Sequence, residues 1–217
     1  MTAATAAAKR GLDVLVAAAL LLALAPLLVW LALAVRLDSR GPALFRAERA
    51  GRGGRPFSML KLRTMRLGAA QGGAVTAPRD ARVTRLGRFL RAFKLDELPQ
   101  LVNVLRGEMS LVGPRPEDPG IVRDHYTEAQ RRVLDVRPGM TGLSQVTFYP
   151  DMSALVPPGQ DAQAYYRDVQ LPQKLAVELR YVERASIAYD LVLLGRTAWC
   201  VLMRSWAALY HPREESR

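Results

Sequence analysis

Apolar residues are concentrated at the start of the chain and then break into short periodic segments. Val14 to Val35 is 22 residues without a charge. At about 1.5 Å per residue this makes roughly 33 Å of helix, enough to cross the hydrocarbon core of a bilayer. The following Arg36-Leu-Asp-Ser-Arg40 is a poor signal-cleavage site, so the segment reads as retained. Pro26 lies inside it, where proline removes a helix hydrogen bond and favours a bend. Basic residues flank both ends: Lys9 and Arg10 before, Arg36, Arg40, Arg46 and Arg49 after. Positive charge favours the cytoplasmic side, so both ends suit the same side of a membrane. A helix that bends at Pro26 and returns satisfies this; a spanning helix with a tolerated proline is the alternative, and the pattern leaves both open.

Residues 41–66 predict a β-hairpin. Ala43 to Ala47 and Pro56 to Leu62 are the extended arms, and Gly51-Arg-Gly-Gly54 is the turn. Residues 67–80, rich in Gly, Ala and Gln without periodicity, predict a mobile loop. Val83, Leu86, Phe89, Leu90 and Phe93 recur at helical spacing, and Arg82, Arg85, Arg88 and Arg91 form an adjacent basic stripe. That pattern suits a solvated helix face or a helix lying among lipid headgroups. Asp96 to Leu105 predicts the next helix, with Asp96 as N-cap and Gly107 as terminator. Gly113-Pro-Arg-Pro116 and Arg137-Pro-Gly-Met-Thr-Gly142 predict rigid loops. From Leu171 the chain reads as helical, and the apolar end from Leu191 to Tyr210 is punctuated by Arg196 and Arg204, which suits an interfacial or packed helix better than a spanning one.

Asp96-Glu97 is the candidate chemical centre. Carboxylates at a helix start can hold Mg²⁺ against a phosphate, or attack phosphorus to form an aspartyl-phosphate. An isolated Asp-Glu pair is ordinarily just a cap. Here Arg88, Arg91 and Lys94 precede it and Arg115 follows in a proline-flanked loop, a cation-rich setting suited to a Mg²⁺–diphosphate substrate. Lys61 and Arg63 are further phosphate-binding candidates, or simply a charged strand end.

Composition narrows the partners. The net charge of +11 over 217 residues calls for an anionic partner: nucleic acid, lipid headgroups or a phosphorylated substrate. A single cysteine, Cys200, excludes intrachain disulfides and cysteine-based zinc sites. The basic residues are not interleaved with aromatics and no nucleic-acid-binding motif is recognisable. A membrane-anchored basic scaffold or a nucleic-acid-binding protein are the competing readings.

Several segments together carry a family resemblance. They are the apolar run with its central proline, Gly41-Pro-Ala-Leu-Phe-Arg46, Lys61-Leu-Arg-Thr-Met65 and Arg82-Val-Thr-Arg-Leu-Gly-Arg-Phe-Leu-Arg91. The most specific is Leu95-Asp-Glu-Leu-Pro-Gln-Leu-Val-Asn-Val-Leu-Arg-Gly-Glu-Met-Ser-Leu-Val-Gly-Pro-Arg-Pro116, and Arg137-Pro-Gly-Met-Thr-Gly-Leu-Ser-Gln-Val146 closes the match. In these the chain resembles the bacterial sugar transferases, monotopic polyprenyl-phosphate phosphoglycosyl transferases. The resemblance implies an α+β, mainly helical, monotopic membrane protein with an N-terminal re-entrant hydrophobic helix, interfacial amphipathic helices and a small β-hairpin. It divides the chain into a membrane-inserting segment, 1–40, and a cytoplasm-facing catalytic domain, 41–217, at the bacterial inner membrane. The re-entrant break, a Ser-Pro pair in the family, falls here at Ala25-Pro26.

The implied reaction transfers sugar-1-phosphate from a UDP-sugar to polyprenyl phosphate, with undecaprenyl phosphate as the expected acceptor, releases UMP, and initiates glycoconjugate assembly. Asp96 is then the nucleophile and Glu97 its partner, both with Mg²⁺ as cofactor. Arg91 matches the family's phosphate-binding arginine, and Arg115 falls near the expected nucleotide pocket. Anionic lipid is an expected partner and nucleic acid is not.

Overall fold

The computed structural model describes residues 3–66, 68, 80–148, 156–157 and 159–210, with the backbone alone for residues 3 and 204–210. Apart from Gly68 and Asp80, the loop expected over 67–80 lies outside the described residues.

The first element, α1 (Ala3–Asp38), continues through Pro26 as one helix of 36 residues, about 54 Å of backbone. Its polar first turns are pinned to the rest of the chain. Lys9 donates to the Val112 carbonyl at 3.1 Å and pairs with Asp190. Arg10 donates to the carbonyls of Val104 and Leu105 at 2.7 and 3.0 Å. Asp13 is buried and accepts from the Ser110 hydroxyl and the Leu111 amide. At the other end Leu31 and Val35 pack with Leu62 and Leu90. Between these anchors Leu20, Leu22, Leu27, Val29 and Trp30 are exposed. Both ends of α1 therefore rest on one folded body; the apolar middle touches it through Val16, Ala17 and Leu21 and is otherwise largely exposed.

That body begins with the hairpin: β1 (Leu44–Ala50) pairs antiparallel with β2 (Pro56–Leu62), Leu44 opposite Leu62. Helix α2 (Arg85–Ala92) follows, capped by the Thr84 side chain on the Gly87 amide. It approaches the segment just after β2 so closely that a Cβ on Gly87 would lie 2.1 Å from the Thr64 carbonyl oxygen. Leu90 faces inward and Phe89 is half exposed.

Helix α3 (Gln100–Arg106) ends at Gly107 in the left-handed region, φ 82°. Fully buried Asn103 stitches α3 to the hairpin edge: its side-chain oxygen accepts from the Leu60 amide and its nitrogen donates to the Ser58 carbonyl. A second sheet pairs β3 (Ser110–Val112) with β4 (Gly139–Thr141) in parallel. The segment Arg137 to Gly142, expected as a loop, is thus partly strand, because the two chains meet at Gly113 and Gly139, where a Cβ on Gly139 would lie 2.1 Å from the Gly113 nitrogen. Short helices α4 (Pro119–His125), α5 (Glu128–Arg131), α6 (Leu143–Thr147) and α7 (Ala162–Tyr165) lead to α8 (Leu171–Arg184) and α9 (Ile187–Tyr210). On α9, Asp190 and Leu193 are buried while Leu191, Val192, Trp199, Leu202 and Met203 are exposed, an apolar stripe turned away from the body.

The close contact at Gly87 sets where α2 lies. Gly87→Ala should cost about 2 kcal/mol through steric overlap with Thr64, read as a lower denaturation midpoint; an unchanged midpoint would show that α2 can slide.

Candidate functional site

Asp96 and Glu97 sit on a single 3₁₀ turn, Leu95–Glu97, between α2 and α3. Asp96 was expected as the N-cap of the next helix, but that helix starts later, with Pro99 at its N-cap. The reason is local. Lys94 adopts a left-handed conformation, φ 57°, which stops α2 and tightens the following turn into bonds from Glu97 and Leu98 amides to Lys94 and Leu95 carbonyls. A non-glycine residue in that region is strained and often marks a functional segment. Side-chain cations, rather than the N-terminal dipole of a helix, surround the pair.

Those cations come from separate elements. Lys61, from the end of β2, lies 3.5 Å from the Glu97 carboxylate. Lys94 lies 3.8 Å and Arg115 3.1 Å from the same oxygen. Arg91, at the end of α2, donates to the Thr64 hydroxyl at 2.9 Å and is one of the charges that favour ionised Asp96. Both carboxylates are nearly buried, Asp96 at 6 % exposure and Glu97 at 9 %.

The environments separate the two acids. Burial would push Glu97 up, but Arg115, Lys61 and Lys94 outweigh it and hold its carboxyl well below the usual range. For Asp96, burial and then the Glu97 charge push the carboxyl up, and Lys61, Lys94 and Arg91 only partly offset them. Burial likewise lowers Lys61, with Glu97 opposing. Two adjacent titratable groups driven apart in this way are suited to different tasks.

One oxygen of Asp96, Oδ1, is buried without a hydrogen-bond partner. Mg²⁺ is commonly held by one or two carboxylates together with substrate phosphates, so this orphaned oxygen fits a divalent cation. Among the described residues no cluster of three or more His, Cys, Asp or Glu supplies a complete cage.

Two expected phosphate binders are placed elsewhere. Arg63, 6 % exposed, donates to the carbonyls of Val35, Ser39, Arg40 and Gly41. It caps the end of α1, whose last carbonyls lack helical partners. Arg88 is exposed, donates to the Val83 carbonyl, and lines a polar cleft with Asp38, Arg66, Thr84 and Arg85. The structure thus gathers Lys61, Arg91 and Arg115 around the acids and leaves Arg63 at the helix end.

Behind the Arg115 loop lies a polar seam on α8 that sequence reasoning missed. Lys174 donates to Glu117 at 2.6 Å, and the Tyr166 hydroxyl donates to the same Glu117 oxygen. Burial alone would raise Glu117; the Lys174 charge and these hydrogen bonds bring it down to about 2. Glu178, one turn further along α8, accepts from the Arg115 amide at 3.0 Å and from the Ser144 hydroxyl. No local pattern signals either contact, since the partners lie 57 and 63 residues apart.

A family model described as bacterial sugar transferase matches residues 4–204. The chain belongs to the bacterial sugar transferase family. This sugar transferase is 45 % identical over 195 residues to the UDP-glucose:undecaprenyl-phosphate glucose-1-phosphate transferase of Caulobacter vibrioides, covering 87 % of this chain and 67 % of that protein. It is 40 % identical over 196 residues to the undecaprenyl-phosphate glucose phosphotransferase of Komagataeibacter xylinus, covering 87 % of this chain and 35 % of that one. It is 36 % identical over 203 residues to the exopolysaccharide production protein PSS of Rhizobium leguminosarum bv. phaseoli, covering 90 % and 96 %. The chain thus spans about a third of the Komagataeibacter relative and about two thirds of the Caulobacter one.

The depressed Glu117 sets an acid limit. Its folded-state pKa lies below the unfolded value, so its stabilisation is fully present above that value and is lost as pH falls toward about 2. The stability difference between wild type and Glu117→Gln should be constant down to about pH 5 and shrink between about 4.5 and 2. A difference that stays constant across that window would contradict the pairing with Lys174.

Proposed function

We propose that this sugar transferase moves sugar-1-phosphate from a UDP-sugar to a polyprenyl phosphate, undecaprenyl phosphate being the expected acceptor, as the first membrane step of glycan assembly. The observation that carries this reading is the buried Asp96–Glu97 pair ringed by Arg91, Lys61, Lys94 and Arg115. Clustered cations beside carboxylates at one point match a diphosphate that must be bound and attacked there.

Asp96 attacks the sugar-bearing phosphorus, the bond from that phosphorus to the UMP oxygen breaks, and UMP leaves. An oxygen of polyprenyl phosphate then attacks the same phosphorus and displaces Asp96, restoring the carboxylate and forming the polyprenyl diphosphate sugar. Arg91 and Arg115 bind the phosphates, and Glu97, kept ionised by its three cations, fixes those cations in place. Asp96 and Glu97 would hold Mg²⁺, which supplies charge neutralisation to the diphosphate. Taking the two substrates in turn suits a water-soluble donor and a lipid acceptor that share one interfacial site.

The membrane arrangement in this reading is monotopic. Arg10 and Val35 are anchored to the same body, so a helix that crossed the bilayer would place its ends in different compartments and break one anchor. We assign Ala25-Pro26 as the turning point of a segment dipping into the cytoplasmic leaflet, with anionic headgroups facing the exposed Arg85 and Arg88 and lipid facing the apolar stripe of α9.

UMP release from a panel of UDP-sugars, with polyprenyl phosphate and Mg²⁺, tests the chemistry. Wild type should turn over one or more donors, and Asp96→Asn should lose at least about 10³-fold while remaining folded. Near-wild-type turnover by Asp96→Asn would remove it as nucleophile. For the topology, single cysteines at Thr5 and Ser39 in a Cys200→Ser background should both be labelled from the cytoplasmic side; labelling from opposite sides would establish a spanning helix.

A further inference from the structure

Arg115 is the central residue of Pro114-Arg-Pro116. Proline nitrogens carry no hydrogen, so the Arg115 N–H is the single backbone donor of that tripeptide. It points inward, to Glu178 Oε1 at 3.0 Å, while the Arg115 guanidinium points to Glu97 at 3.1 Å. Glu178 is 1 % exposed, takes a second hydrogen bond on Oε1 from Ser144, and leaves Oε2 buried without a partner. As a purely stabilising residue it is a poor choice, because an apolar side chain of similar volume would pack there without desolvating a carboxyl.

We propose that Glu178 is a positioning residue: from α8 it holds the Arg115 backbone, and through it sets where the Arg115 guanidinium stands beside Glu97. Its effect on turnover rests on the function proposed above; its hold on the amide does not. Lys174, one turn earlier on α8, secures the same loop through Glu117, and the Glu117 carbonyl accepts from the Ala50 amide at 2.8 Å. The loop is thus tied at residues 115 and 117, and the Arg115 side chain extends from it to the Glu97 carboxylate.

The test has a kinetic arm and an exchange arm. Glu178→Met keeps volume and removes the acceptor; it should lower kcat/KM for the UDP-sugar about tenfold, while Glu178→Gln, which keeps the acceptor, stays within about threefold. In an Arg115→Ala background, Glu178→Met should change kcat/KM by less than about twofold, because the residue it positions is gone. An equal loss in both backgrounds overturns the proposal and marks Glu178 as merely structural. In the second arm, hydrogen exchange of the lone amide in peptide 114–116 should be slow in wild type and accelerate in Glu178→Met. If that variant does not fold, the wild-type amide decides: exchange at the rate of an unstructured peptide overturns the proposal. Absent turnover by wild type, with a protected Arg115 amide, would instead sink the assigned reaction and leave the hold intact.

Discussion

Two adjacent carboxylates taken out of water impose the main constraint on this molecule. Neither Asp96 nor Glu97 can be ionised there without cations held at close range. The turn itself contributes only Lys94. The others arrive from the end of a hairpin strand, the last turn of α2 and a proline-bracketed loop. The placement of those three elements is therefore the electrostatic environment of the acids. Asn103 against the hairpin edge, Gly87 against Thr64 and Glu178 against Arg115 are packing devices, yet each also fixes the position of a charge. This asymmetric supply of cations gives the pair its division of labour. Glu97 receives three of them on one oxygen, whereas Asp96 keeps an oxygen without a partner.

The apolar helix obeys a related logic. Its charged residues near the start are consumed by the folded body: Arg10 closes the end of α3, Asp13 receives the edge of β3, and Lys9 meets Asp190. Arg63 does the same for the helix end. Lys9, Arg10 and Asp13 at the start of α1 and the carbonyls at its end are satisfied by protein, and the intervening stretch touches the body at Leu21 while leaving most of its apolar side chains exposed.

How much of this could be read from residues alone depends on the range of the interaction. The hairpin is legible because Gly51 to Gly54 supplies its turn, and α2 is legible because Leu86, Phe89, Leu90 and Phe93 repeat at the helical period. The bunching of Lys61, Arg91 and Arg115 about Asp96 and Glu97 is legible in kind, since unlike charges were expected to meet. Arg63 is not, because nothing in Lys-Leu-Arg-Thr distinguishes an arginine aimed at a phosphate from one aimed at a helix end; Lys61 in β2 and Arg63 just beyond it face different partners. The turn at Asp96 is not legible either, as it depends on a lysine entering the left-handed region, which sequence preference argues against. Glu178 is invisible for a different reason: a glutamate on an amphipathic helix reads as solvent-facing until the loop it supports is placed.

The link between Lys9 and Asp190 spans 181 positions of the chain. During synthesis the apolar helix is made well before the Asp190 that pairs with its first turns. Contacts of such long range close late. Arg10 and Asp13 have their partners on α3 and β3 as soon as residue 111 is made, whereas the Lys9 ion pair must wait for α9, so the first turns of α1 are secured in two stages.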